Sequence, residues 1–199
     1  PAASTSGSSP DLAADGLPKQ FGKYTLVRKL ATGGMAELFL AIQRSVAGFE
    51  KLVVIKRILP KMNADRAFID MLLQEARVAA TLSHPNVVQI FDVGDVDGVF
   101  YIAMEHVHGE DIRTVVRRMK KEGHREFPLS HAIHIVSGLA AGLAYAHGKR
   151  DLDGTPLNIV HRDISPQNVV ITYAGDVKVV DFGIAKSDTS FQRETEFGK

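Results

Sequence analysis

The sequence has no cysteine among its 199 residues. Disulfide staples, thiolate zinc sites and a cysteine nucleophile are therefore excluded, and the composition suits a reducing compartment. Excess charge is also missing: 24 Lys and Arg stand against 23 Asp and Glu, a formal +1. That balance leaves no global electrostatic footprint for nucleic acid or an anionic membrane. No uninterrupted apolar run has the length of a bilayer span, and the first residues lack the basic and apolar segments of a secretory leader. What is present is ordinary globular stock, 45% hydrophobic and 24% charged, enough for one domain or two small lobes.

Residues 1–20 are mostly Ser, Ala, Gly and Pro and read as a flexible linker or tail, with order expected from Phe21. From there to Met104 the pattern is strand-rich. Tyr24, Leu26, Arg28 and Leu30 share one alternating register, and 37–42 and 52–58 are the next two strands. The stretch 65–82 has helical period, and strands at 87–93 and 99–105 are joined by a turn-like GDVDG. After Met104 helices take over. One ends at Gly123, a residue suited to a helix C-terminus, and a second begins at Ser130, expected as its N-cap. Short strands return at 159–161, 168–172 and 177–181. These elements predict an α+β, two-lobed fold: a strand-rich lobe over 21–104 with one key helix, then a mainly helical lobe over 105–199.

Four local patterns carry chemistry. In KLATGGMAELFLA (29–41) a glycine-containing turn lies between two strands, so Gly33 and Gly34 suit a hairpin lid that brings backbone close to phosphate. A mere hairpin turn fits the same residues. Lys56 stands inside the apolar run VVIKRI, and Glu75 falls on the helical spacing of Phe68, Leu72, Ala79 and Leu82. A carboxylate on an apolar face calls for a cation, and Lys56 is the natural partner, a surface Arg the alternative. In HRDISPQNVVI (161–171), Asp163 and Asn168 flank a proline ahead of an apolar strand, and in VVDFGIA Asp181 ends another. Asn168 and Asp181 fall at opposite ends of a hairpin turning near Ala174-Gly175-Asp176, so their oxygens converge at one mouth, as a hard Mg²⁺ ion requires.

The ordered set LATGGMAEL, VVIK, EAR, MEHV, HRDISPQN and DFG resembles the protein kinase superfamily, and most of all the eukaryotic-like Ser/Thr kinases of bacteria. The resemblance implies ATP and Mg²⁺ as cofactors and a protein substrate with a Ser or Thr acceptor. Gly33 and Gly34 would then cover the phosphates. Lys56 would contact them and pair with Glu75. Asp163 would accept or orient the acceptor proton, and Asn168 and Asp181 would hold Mg²⁺. Met104 falls at the gatekeeper position, Glu105 to Val107 at the hinge, and Asp111 at the ribose contact. Leu30, Leu38, Val54 and Val170 would wall the adenine. A second apolar stack would run through Ala79, Ile90, His161 and Phe182.

Departures from the family pattern are specific. Ala31 and Ala36 replace glycines in the lid, which is harmless if neither needs positive φ. Val54 replaces an alanine over the adenine, and DLDGTP lengthens the connection before the catalytic loop. Ser165 stands where Ser/Thr kinases carry a Lys near the γ-phosphate. These leave a pseudokinase or ATP-binding scaffold, and a small-molecule phosphotransferase, as alternatives to an active enzyme. Arg162 beside Asp163 implies control by a phosphate on Ser187, Thr189, Ser190 or Thr195, with autophosphorylation at Thr189 and Thr195. Kinases of this kind continue past Lys199, so the chain is expected to be a fragment, inactive and poorly stable alone, with an exposed apolar face on the helix near 131–147. The expected location is the cytoplasm, with a membrane anchor or sensor domain elsewhere in the protein.

Overall fold

A computed structural model describes residues 16–45, 48–62 and 65–182. Six antiparallel strands form the first sheet: β1 (Lys19–Phe21), β2 (Tyr24–Thr32), β3 (Ala36–Arg44), β4 (Glu50–Ile58), β5 (Ile90–Val96) and β6 (Val99–Glu105). Their spatial order is β1-β2-β3-β4-β6-β5. Alternation builds it. Tyr24 and Leu26 on β2, Phe39 and Ala41 on β3 and Val53 and Ile55 on β4 are buried together on one face with Tyr101 and Ala103 of β6. The β5–β6 hairpin turns on Asp97 (φ 51°) and Gly98 (φ 77°), two left-handed residues of the kind a two-residue hairpin loop prefers.

Helix α1 (Arg66–Ala80) lies on the opposite face and starts at Asp65, whose carboxylate accepts from Phe68 N at 3.0 Å. Its buried stripe is Ile69, Leu72, Ala76 and Ala79, packed on Ile58, Ile90, Ile102 and Met104. The sequence reading set the stripe one position earlier for Phe68 and Glu75, and the structure turns both toward its flanks. Helix α2 (Ile112–Lys121) starts at Asp111, and Gly123 follows its end with φ 87°. Helix α3 (Leu129–His147) begins one residue before Ser130, behind Pro128, with no side-chain cap. Rather than capping, Ser130 occupies the first turn, which the φ of Pro128 already sets.

A second sheet joins β7 (Gly109–Asp111), β8 (Val169–Thr172) and β9 (Val177–Val179) in that order. The expected strand at 159–161 is absent: the segment has no ladder partners among the described residues, and its side chains Ile159 and His161 are buried instead. Strand β7, short and polar, has no alternating apolar pattern to announce it. The DLDGTP stretch forms a surface turn closed by Asp151 N to Thr155 O at 2.9 Å. Helix α3 has 19 residues and a mean hydropathy of 1.3, long and apolar enough for a bilayer span by length and composition. The sequence reading missed this because no single apolar run carries it; Gly and His interrupt the run. In the structure α3 packs Gly138 against Val177 and Gly142 against Asn86, while Leu129, Ile133 and Val136 are exposed.

Candidate functional site

A cavity of about 370 Å³ lies between α1 and the segment 157–162, and a larger one of about 870 Å³ lies between the β2–β3 hairpin, Lys56 of β4 and β7–β8. Leu30, Gly33, Gly34 and Leu38 line the larger cavity from the hairpin side, and Val107, Asp111 and Val170 from below. Lys56, Asn168 and Asp181 supply its polar end. The hairpin tip is closed by Gly33 N donating to Ala36 O at 2.8 Å. Ala31 and Ala36 both sit in strands without positive φ, so alanine fits the hairpin at both positions.

Lys56 Nζ lies 2.8 Å from Asp181 Oδ1. Glu75 Oε1 lies 3.8 Å from Arg162. The expected Lys56–Glu75 pair is thus exchanged for two others. The reason lies in α1: with Ile69, Leu72, Ala76 and Ala79 inward, Leu72 and Phe68 face the larger cavity beside Lys56, and Glu75 faces the smaller one with Arg162 and Phe182. The alternative cation for Glu75, an arginine, is the one found.

The segment 161–168 is held from within. Asn168 Nδ2 donates to Asp163 O at 2.8 Å and to Asp163 Oδ2 at 3.1 Å. His161 is buried, its Nε2 donating to Val180 O at 3.0 Å while its Nδ1 accepts from Asp163 N at 3.3 Å. Those two partners specify one neutral tautomer, and burial holds the ring's pKa below its ordinary value. The ring also lies 4.7 Å from that of Phe182, tilted at 49°, and Ala79, Ile90 and Phe182 border one small space, so the predicted apolar row is contiguous. Arg162 (φ 60°) and Asp181 (φ 55°) are both left-handed. Such backbone costs about 1–3 kcal/mol per residue and collects at functional sites.

The remaining predicted residues Val54, Met104 and Glu105 do not line the larger cavity. Met104 is buried, opposite Val54 in the ladder and bordering the small space beside Asp181. Glu105 does not point into the cavity; it pairs with Lys178 at 2.8 Å and accepts from Gln89 N at 3.2 Å, tying β6 to β9. Sequence reading missed Lys178, Gln89 and Arg113, whose Nη1 donates to Gln167 Oε1 at 3.1 Å. Only alternation within β9 could have flagged Lys178. His106 is held below its ordinary pKa by burial, then by His108 and Arg28. Ser165 Oγ is buried with no hydrogen-bond partner among the described residues. Gly183 and the candidate acceptors Ser187, Thr189, Ser190 and Thr195 lie outside the described residues.

Comparisons with known proteins bear on the family and the fold. The family described as "Protein kinase domain" matches residues 24–198. The chain is 49% identical over 173 residues to the tyrosine-protein kinase MasK of Myxococcus xanthus, covering 87% of this chain and 27% of that protein. It is 34% identical to the serine/threonine-protein kinase PrkC of Bacillus subtilis, covering 85% of this chain and 24% of that one. The chain thus spans about a quarter of the length of these curated relatives. The crystal structure of the Mycobacterium tuberculosis PknI kinase domain superposes with a TM-score of 0.68 at 33% identity, covering 85% of this chain and 61% of that one.

Proposed function

The chain belongs to the protein kinase domain family, and on that premise we propose that it carries the ATP-dependent transfer of a γ-phosphoryl group to protein hydroxyls, with Ser and Thr as acceptors. The reading rests on one observation: Lys56, Asn168 and Asp181 meet in one cavity under a glycine hairpin, with Asp163 hydrogen-bonded to Asn168. In this reading Lys56 holds phosphate oxygens, and Asp163 takes the acceptor proton as the new O–P bond forms and ADP leaves. Leu30, Leu38, Val54 and Val170 enclose the base, the Glu105–Val107 backbone reads its edge, and Asp111 takes the ribose. The oxygen chemistry of Asn168 and Asp181 fits a hard divalent ion: the Asn168 amide nitrogen is occupied by Asp163, which leaves its oxygen to ligate. When bound, Mg²⁺ supplies charge neutralisation on the phosphates.

Transfer requires Lys56 to exchange Asp181 for phosphate, and Glu75 to leave Arg162 for Lys56. A phosphate on the segment after Phe182 would compete for Arg162 and favour that exchange. We place the reaction in the cytoplasm, where ATP is supplied. The test is phosphate transfer by the full-length protein with and without Asp163→Asn. Equal rates would sink the assigned role of Asp163, and ATP binding without transfer in the parent protein would turn the reading to a scaffold.

A second reading, tyrosine as acceptor, is favoured by the 49% identity to a protein named a tyrosine kinase and by Ser165 in place of Lys. Phosphoamino-acid analysis of the product separates the two.

A further inference from the structure

The global charge balance hides a local one on α2. Arg113, Arg117 and Lys120 recur at i, i+4 and i+7, which places them on one face, with Lys121 at its edge. All four are exposed. The neighbouring carboxylates are committed elsewhere. Asp111 caps the helix, accepting from Thr114 N at 2.8 Å and Thr114 Oγ1 at 2.7 Å. Glu110 accepts from Tyr173 Oη at 3.0 Å. Glu122 faces Arg118 at 3.8 Å on the other side of the helix. Glu126 follows beyond the helix end, next to Arg125. Among the described residues, no ion pair within 4.0 Å involves Arg113, Arg117, Lys120 or Lys121.

The stripe begins at the reaction site. Arg113 donates to Gln167, which lines the larger cavity between Asp163 and Asn168 in sequence. Its partner there is neutral, so the guanidinium retains its charge and further donors for a carboxylate. From Arg113 to Lys120 the helix rises about 10 Å, which an extended peptide covers in about three residues.

Resting on the kinase reading, we infer that this stripe receives an acidic segment of the protein substrate, flanking the acceptor hydroxyl as it enters over Gln167. The occupant is set by charge complementarity: three cations in a row and a fourth at the edge, in no ion pair among the described residues, at peptide spacing and leading away from the catalytic loop.

The test is fluorescence anisotropy on the full-length protein with three peptides whose acceptor is alanine and whose flanks are acidic, neutral or basic. At about 50 mM salt the acidic peptide is expected to bind about tenfold more tightly than the neutral one, since exposed pairs are individually weak and screened. The triple variant R113Q/R117Q/K120Q should abolish the difference, whereas R118Q, equal in charge change per residue but on the other side, should leave it. Equal binding of the three peptides overturns the inference. So does an equal loss from R118Q, or a stripe-dependent affinity for phosphatidylserine vesicles with no preference among peptides. Phosphate transfer to serine versions of the peptides is read separately. No transfer to any peptide, with acidic binding intact, sinks the kinase reading and leaves the acid-binding surface standing.

Discussion

Gly109→Ala tests the link between β7 and the cavity most directly. Gly109 pairs with Thr172 across the β7–β8 ladder. A Cβ there would sit 2.7 Å from Ile171 C and Thr172 Cα, both backbone atoms that cannot rotate away. Carbon atoms rest about 3.5–4.0 Å apart, so the strands must separate by about 1 Å. Overpacking of this kind costs about 1–3 kcal/mol. At about 2–4 °C per kcal/mol for a domain of this size, the melting temperature should fall by about 2–12 °C. The displacement also carries Asp111, and with it the α2 cap and the rim of the cavity, so the KM for nucleotide should rise more than kcat falls. Gly34→Ala is the stability control, because no atom lies within 4 Å of its added Cβ. Differential scanning calorimetry reads both. A G109A melt within about 1 °C of the parent, or an equal drop for G34A, would refute the reasoning.

Three further outcomes are expected. His161 is neutral in the fold because burial lowers its pKa, so its contribution is complete above the ordinary value of 6.5 and is lost as pH falls from there toward the folded value; urea titrations across that window should show a slope that His161→Phe flattens, and an unchanged slope would count against it. Asp111→Ala should cost about 1 kcal/mol through the lost cap, with Asp111→Asn retaining most of it, as read by chemical denaturation. Ser165→Ala should be neutral or stabilising by up to about 1 kcal/mol, because the buried hydroxyl it deletes has no described partner; a clear loss of stability would show that it has one.

The sheet and the site were legible for different reasons. Strands β2, β3, β4 and β6 are long alternating or buried runs, and period alone marks them. The segment 161–168 and the Asp181 strand end are legible through residue types in a fixed order, which points to Lys56, Asn168 and Asp181 without knowledge of the cavity they share. What escaped depends on tertiary contact. Glu75 obeys the helical period almost as well as Ala76 does, and only the packing of α1 on Met104 and Ile90 decides which turns inward. Strand β7 exists because β8 offers it an edge, and Glu105 belongs to the β6–β9 tie because Lys178 lies opposite, facts with no local signature. The overall +1 likewise conceals the α2 stripe, since a sum discards position.

The left-handed backbone at Arg162 and Asp181 dictates how the site should be dissected by mutagenesis. At such a φ, Asn is tolerated nearly as well as Asp, Gly relieves the backbone, and a β-branched residue adds strain of its own. Asp181→Asn therefore removes charge at nearly constant conformation, and Asp181→Gly removes the side chain while relaxing the chain. Alanine and valine scans at these two positions would mix loss of chemistry with loss of shape, and would credit the carboxylate with work done by the backbone.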